Sequence, residues 1–306
     1  MELSPKFRFK LQRWRSSLEA MLASKKESYD TSHRMCPNCR ALVERNASTC
    51  PFCRLKLRSP RARSDSSPGR ILGVLPVPST ASSIFIVATI AVYAVSWYRT
   101  QQGMMGAPSL SGSINTRVLV ELGAKSPLII IQHQWWRLVT AIFLHAGLLH
   151  IGMNLWCLFD LGPQVESLFG ASKFTVFYLV TGVAGFFLSL LWNPFGTSVG
   201  ASGAVCGLIG VLIGASFHHG GIGKMYRSML WRWVIYILIF GLFFAVDNAA
   251  HIGGLASGLA LGYVVPESDS ETVAGENLWN VLALFSVVII AGSFALMAMH
   301  LTQAGG

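Results

Sequence analysis

Residues 200–217 read GASGAVCGLIGVLIGASF, and residues 248–266 read NAAHIGGLASGLALGYVVP. Both are apolar runs of membrane-helix character, and each carries a reactive side chain near its start: Ser202 in the first, His251 in the second. Polar, ionisable groups inside such runs are expensive in a bilayer and mark functional sites. Glycines decide how the runs meet. Gly203, Gly207, Gly210 and Gly214 are spaced 4, 3 and 4, and Gly254, Gly258 and Gly262 are spaced 4 and 4. Each set therefore lines one helix face, and small-xxx-small faces let backbones approach closely. His251 lies three residues before Gly254, on the same stripe. Packing the two faces sets an imidazole beside a serine hydroxyl, a nucleophile with its base.

Five more apolar runs lie at about 83–98, 148–168, 172–192, 229–246 and 278–300. A span needs about 20 residues, so 83–98 and 200–217 read as slightly short, implying local thinning or shallow placement. Hydrophobic residues make up 52% of the chain, charged ones 12%, and the mean hydropathy is +0.51. Soluble chains carry about twice that charge. The expected fold class is an all-α polytopic membrane protein.

Charge is confined to one end. Residues 1–70 hold 16 of the 24 Lys and Arg but 6 of the 14 acids, for a net +10; the remainder is neutral. Beside a membrane domain, such an arm points to topology and anionic lipid rather than to nucleic acid. Residues 1–30 lack the apolar core of a secretory signal, so the arm is expected on the cytoplasmic side. Its residues 5–26 form a basic segment with Phe7, Leu11, Leu18 and Leu22 as apolar contacts, either lying on the membrane or solvated. Residues 58–82, rich in Ser, Pro and Arg, have linker composition. The expected division is a basic segment at 1–30, a Cys-rich unit at 31–57, a linker at 58–82, a membrane domain at 83–266, and an acidic loop with a seventh helix at 267–306. With the arm inside, connections 169–171, 218–228 and 267–277 are inside too, which suits Lys173, Lys224, Arg227 and Arg232. The connection 99–147 falls outside. Its four basic residues mildly violate the rule, and its Trp135-Trp136-Arg137 cluster suits the interface.

In this topology the runs bearing His150, Ser202 and His251 all travel from outside to inside. The three side chains share one depth, within about 6 Å of their helix starts. His251 can take the Ser202 proton and return it to a leaving amine. The Ser202 backbone N–H, at a helix N-terminus, is one donor for an oxyanion. His150 and Asn154, i and i+4 on one face, supply two more. A proton-relay transporter using His150 and His251 is the competing reading. Against it, the sequence shows neither paired membrane carboxylates nor repeated helix blocks.

Over about residues 80–265 the chain resembles the rhomboid intramembrane serine proteases. His145-Ala146-Gly147-Leu148-Leu149-His150 followed by Asn154 is similar to that family's histidine/asparagine motif. Gly200-Ala201-Ser202-Gly203 is similar to its nucleophile motif, and Ala250-His251 with Gly254 and Gly258 to its base motif. Trp136-Arg137 resembles the signature of its long first loop, and Glu166, between Gly162 and Gly170, a structural acid. The resemblance implies a six-helix core and a Ser202–His251 dyad with no catalytic aspartate. It implies an oxyanion site at Ser202 N–H, His150 and Asn154, and no cofactor for catalysis. Substrates would be single-span membrane proteins cut in or near their helices, within the lipid bilayer. The run at 278–300 resembles a six-plus-one layout. A non-catalytic protein of the same fold that binds transmembrane helices is the alternative. One departure stands out: Cys206 occupies a position where the family commonly has an aromatic residue supporting the histidine. Asp247, four before His251, is expected nearer the outer surface rather than in a triad. The arm and the lack of a transit signal point to a bacterial inner membrane, with an organellar home as the alternative.

Cys36-Pro37-Asn38-Cys39 and Cys50-Pro51-Phe52-Cys53 form CxxC-x10-CxxC. Four thiolates at this spacing make a closed tetrahedral zinc site, and zinc would let so small a unit fold. A redox pair or an iron site are the alternatives; a cytosolic arm argues against disulfides. A ribbon of this kind has room for a partner that the sequence does not identify. Cys157 and Cys206 read as buried thiols in helices.

Overall fold

The computed structural model describes residues 33–36, 42–44, 47–55, 57, 70–71, 75–76, 80–102, 112–243, 246–268 and 273–304. The basic segment at 5–26 and Cys39 lie outside these residues. The chain divides into two compact units, Met1–Pro60 and Arg61–Gly306.

In the first unit, strands β1 (His33–Met35) and β2 (Leu42–Glu44) pair antiparallel, with Arg34 opposite Val43. Cys36, Val43, Cys50 and Leu57 form its small buried core.

The second unit opens with a two-stranded ladder, β3 (Arg70–Ile71) against β4 (Leu75–Pro76). Helices follow: α1 (Thr80–Gln102), α2 (Thr116–Glu121), α3 (Leu128–Ile131), α4 (Arg137–Thr140), α5 (Leu148–Phe169), α6 (Ala171–Trp192), α7 (Ser202–Ser216), α8 (Gly220–Phe243), α9 (Asn248–Val264) and α10 (Val273–Ala304). Each of the seven apolar runs holds a helix. Among the described residues, α1, α6 and residues 274–303 are long and apolar enough to cross a membrane, with mean hydropathies of 1.7, 2.0 and 2.5.

Three expectations change. The run at 83–98 is not short, because Thr80–Ser82 and Arg99–Gln102 extend it to a 23-residue helix. The stretch 58–82 is not wholly extended: it holds the β3–β4 ladder and the first turn of α1. The connection 218–228 shrinks to a tight turn, because α8 already starts at Gly220, whose φ of +54° suits glycine. The short run at 200–217 stays short. Helix α7 has 15 residues, or about 22 Å of rise, and every residue after Ser202 is buried.

Helix α7 can be this short because it touches other helices on all sides. A Cβ added at Gly254 would lie 1.9 Å from the Gly203 carbonyl oxygen, at Gly258 2.0 Å from that of Gly207, and at Gly262 2.0 Å from that of Val211. From the α7 side, Gly210 and Gly214 press on the Leu255 and Leu259 carbonyls at 2.3 and 2.4 Å. Only hydrogen fits at these points, so the α7 and α9 backbones meet directly. Helix α6 joins them: a Cβ at Gly207 would meet Thr181 at 2.2 Å, and one at Gly185 the Ala250 carbonyl at 2.6 Å.

The remaining elements brace this trio. Both carboxylate oxygens of Glu166 accept backbone N–H groups at the start of α1, from Ala81 (3.2 Å) and Ser82 (3.1 Å). They satisfy two orphan donors and complement the helix dipole. Phe85 of α1 packs on Tyr178 of α6 at 4.4 Å between ring centroids. Helix α10 runs beside α6, with Trp279 on Phe177 and Phe294 on Phe143, and ends with His300 near Trp136. Residues 112–147 form a folded layer. Its Arg137 is fully buried, donating to Gln134 Oε1 (2.6 Å) and to the carbonyls of Val120 (2.5 Å) and Ala124 (3.2 Å). Burial brings its pKa down to about 10, so it stays charged at neutral pH.

Candidate active site

Ser202 is the first residue of α7, so its backbone N–H has no partner within the helix. The chain reaches it through Gly200, whose φ of +128° favours glycine and whose N–H donates to the Ala141 carbonyl (2.9 Å). A Cβ at Gly200 would sit 2.7 Å from His150 Nε2 and 3.8 Å from Ser202 Oγ. The missing side chain thus leaves a gap flanked by the hydroxyl and the imidazole.

His150 lies in the first turn of α5. Its Nδ1 accepts the Ala146 N–H (3.4 Å), which in the neutral ring leaves the proton on Nε2, the atom facing Gly200. Asn154, one turn on, is buried, and its amide donates to the His150 carbonyl (2.9 Å). An amide has two N–H groups, so one donor remains. His145 plays a part that the motif alone did not reveal. Its Nδ1 pairs with the Phe143 carbonyl (3.3 Å), and its Nε2 accepts the Ala201 N–H (3.4 Å), directly before the serine.

His251 sits in the first turn of α9, 3% exposed, and neither ring nitrogen has a hydrogen-bond partner. The residues beside it fix its height. The Ala250 carbonyl would lie 3.3 Å from a Cβ on Gly203, and the Gly203 carbonyl is the one that Gly254 abuts. Gly203 thus packs between Ala250 and Gly254, which brackets His251 at the level of Ser202. A Ser202–His251 hydrogen bond is not formed. A buried imidazole with two idle nitrogens is rare in a merely structural role, and catalytic hydrogen bonds often tighten only with substrate.

Asp247 caps α9. Its Oδ1 accepts the Ala250 N–H (3.1 Å) and its Oδ2 takes the Ser189 hydroxyl, so both oxygens are engaged away from the imidazole. Cys206 is buried one turn after Ser202. Among the described residues, no aromatic ring stacks on His251.

In the N-terminal unit, Sγ atoms of Cys36, Cys50 and Cys53 lie within 4.8 Å of one another, Cys36 and Cys53 at 3.5 Å. Thiolates around zinc sit about 3.8 Å apart for a 2.3 Å Zn–S bond, so the three thiols fit the ion's donor set. The turn around them is tight: Arg54 N–H donates to the Cys50 carbonyl (2.9 Å), and Arg54 has φ +58°.

Residues 132–268 match the Rhomboid domain. The fold is accordingly a rhomboid-like all-α membrane bundle. His150, Asn154, Ser202 and His251 fall inside the match; α10 and the Cys unit fall outside it. Rhomboid protease GluP of Bacillus subtilis is 38% identical over 152 residues, covering 48% of this chain and 29% of GluP. RHOMBOID-like protein 6, mitochondrial, of Arabidopsis thaliana is 38% identical over 162 residues, 52% of each chain. Rhomboid-like protease 3 of Toxoplasma gondii is 37% identical over 155 residues, covering 48% of this chain and 58% of that protein. The chain spans well under two thirds of the length of these relatives.

Proposed function

We propose that this protein is a rhomboid-type intramembrane serine endopeptidase acting through Ser202 and His251. The observation that carries the reading is the buried, unpartnered His251 held level with Ser202 by glycine contacts. Ser202 Oγ attacks the scissile carbonyl carbon while His251 takes its proton. The oxyanion is met by the Ser202 N–H, the His150 Nε2–H and the remaining Asn154 N–H. His251 then protonates the leaving amine as the C–N bond breaks. Water, deprotonated by His251, hydrolyses the acyl-enzyme. Substrates are single-span membrane proteins, met within the bilayer at segments where the helix unwinds. Catalysis uses no cofactor. The rhomboid-protease names of two relatives support the activity.

The Cys unit, in this proposal, is a structural zinc ribbon held by Cys36, Cys39, Cys50 and Cys53 and open to an unidentified partner. The ion would order a core of few apolar residues. The arm lies on the cytoplasmic side, and a bacterial inner membrane is the proposed home. The second reading, a non-catalytic binder of transmembrane helices, draws on the unformed Ser202–His251 hydrogen bond.

A fluorophosphonate probe separates the two. The detergent-solubilised protein is expected to label, and Ser202→Ala to abolish labelling. Labelling that survives Ser202→Ala removes the nucleophile. A wild type that neither labels nor cleaves a model single-span substrate favours the binder.

A further inference from the structure

One buried charge stands outside this mechanism. Lys125 is 1% exposed, in the layer between α2 and α3. Its ammonium donates to the Asn193 carbonyl and to the Gly196 carbonyl (3.0 Å). Asn193 is the C-cap of α6, where a cation also complements the helix dipole. The backbone of Lys125 itself forms an antiparallel bridge with Ser198: each N–H donates to the other's carbonyl at 3.0 Å. One lysine thus grips the segment 193–198 by side chain and main chain together. That segment leads within four residues to Ser202, through the Gly200 N–H bond to Ala141.

Desolvating an ammonium is costly unless it is well compensated; burial pushes Lys125 below the usual lysine range, and the Asp247 carboxylate opposes that shift. Asp247 caps the helix that carries His251. The ammonium thus holds the segment that leads to Ser202 and feels the charge of the acid that caps the His251 helix. A neutral side chain of similar volume would fill the space more cheaply but leave the two carbonyls without this donor.

We propose that Lys125 is a positioning residue, whose clamp on 193–198 sets Gly200 and Ser202 against the His150 and Asn154 donors. The proposal rests on the Ser202 reading above. It lies outside the matched domain, which begins at residue 132.

The test uses the full chain in detergent and in proteoliposomes, with wild type, Ser202→Ala, Lys125→Met and Lys125→Gln. Lys125→Met is expected to lower both the fluorophosphonate labelling rate and kcat on a model single-span substrate by about tenfold or more, the scale of a small misplacement of reacting groups. KM should stay within twofold. Lys125→Gln, which keeps an uncharged N–H donor group on a shorter stem, should recover part of the rate. Hydrogen exchange should rise at residues 194–201 while α7 stays protected. Lys125→Met labelling within twofold of wild type overturns the proposal. So does exchange that rises equally through 194–216, because that is general loosening. If Lys125→Met fails to fold, the same criteria apply to Lys125→Gln. Failure of wild type to label, or labelling that survives Ser202→Ala, strikes the dyad instead, and the exchange arm still decides the clamp.

Discussion

Helices α7 and α8 are neighbours in the chain and opposites in construction. Every residue of α7 after Ser202 is buried, and its contacts with α9 run backbone to backbone through glycine. Helix α8 turns Met225, Met229, Trp233, Ile235, Tyr236 and Ile239 outward and buries Leu230 and Val234. A hydrogen bond ties its N-terminal part to α5, from the Tyr226 hydroxyl to Gln164 Oε1 (2.7 Å). The α7 interface leaves no slack, so the helix that carries Ser202 keeps its register against the helix that carries His251. Among the described residues, Tyr226, Arg227 and Leu238 tie α8 to α5, α7 and α9 by hydrogen bonds, while much of its apolar surface faces outward; α8 is thus the looser wall, and such a wall opens at lower cost than α7. The proposed protease would need both: a fixed Ser202–His251 pair and a side that yields to a substrate helix.

The largest effect should come from breaking the tight region. Gly258→Leu must move the Gly207 carbonyl, now 2.0 Å from the added Cβ. Such overpacking costs at least about 1–3 kcal/mol, and here the obstacle is backbone. The expectation is a large fall in thermal midpoint with labelling at background, measured by melting and fluorophosphonate rate on one preparation.

Gly200→Ala should sharpen the contrast by damaging chemistry more than fold. The new methyl meets His150 Nε2 at 2.7 Å and forces a non-glycine residue to φ +128°. Losing one oxyanion donor typically costs about 10²–10³ in kcat, so kcat should fall by that order. The midpoint should drop far less than in Gly258→Leu. A variant that keeps wild-type kcat would show that His150 does not reach the oxyanion.

Asp247→Ala tests a triad against a cap. A catalytic aspartate is worth about 10⁴ in kcat, whereas loss of a helix N-cap costs about 1 kcal/mol of stability. With both oxygens engaged by Ala250 and Ser189, the expected result is the smaller one: a lower midpoint and a several-fold loss of turnover. A 10⁴-fold loss at unchanged stability would restore the triad.

The mildest variant probes the loose wall. Tyr226→Phe removes one partly buried hydrogen bond, worth about 1 kcal/mol. Turnover of a helical substrate should rise by up to a few-fold while the labelling rate of the small probe stays constant. A fall in turnover would make that bond part of the working site rather than a restraint on opening.

Much of this architecture was legible. Each of the seven apolar runs holds a helix, because a helix satisfies the backbone of an apolar run within the run itself. The glycine spacings named the faces that meet. The bounds of α1 and α8 were less visible. Thr80, Ala81 and Ser82 extend α1 because Glu166, more than eighty residues away, caps its start. Helix α8 begins among Gly220, Gly221 and Lys224, residues that read as a polar turn. Asn154 sat where its spacing placed it, yet part of its amide is spent on its own helix. Lys125 gave no local signal at all. In the sequence it is one cation in a surface connection, and its partners are 68 and 71 residues away.

By itself the sequence settled the helical class, the faces of α7 and α9, and the side chains capable of nucleophile and base chemistry. Periodicity and side-chain type are local properties, read one helix at a time. The tertiary structure alone decided that Gly203 lies between Ala250 and Gly254, that His251 is left without a partner, and that a buried lysine holds the approach to Ser202. Those are matters of register between distant segments, and register is set where surfaces exclude one another in space.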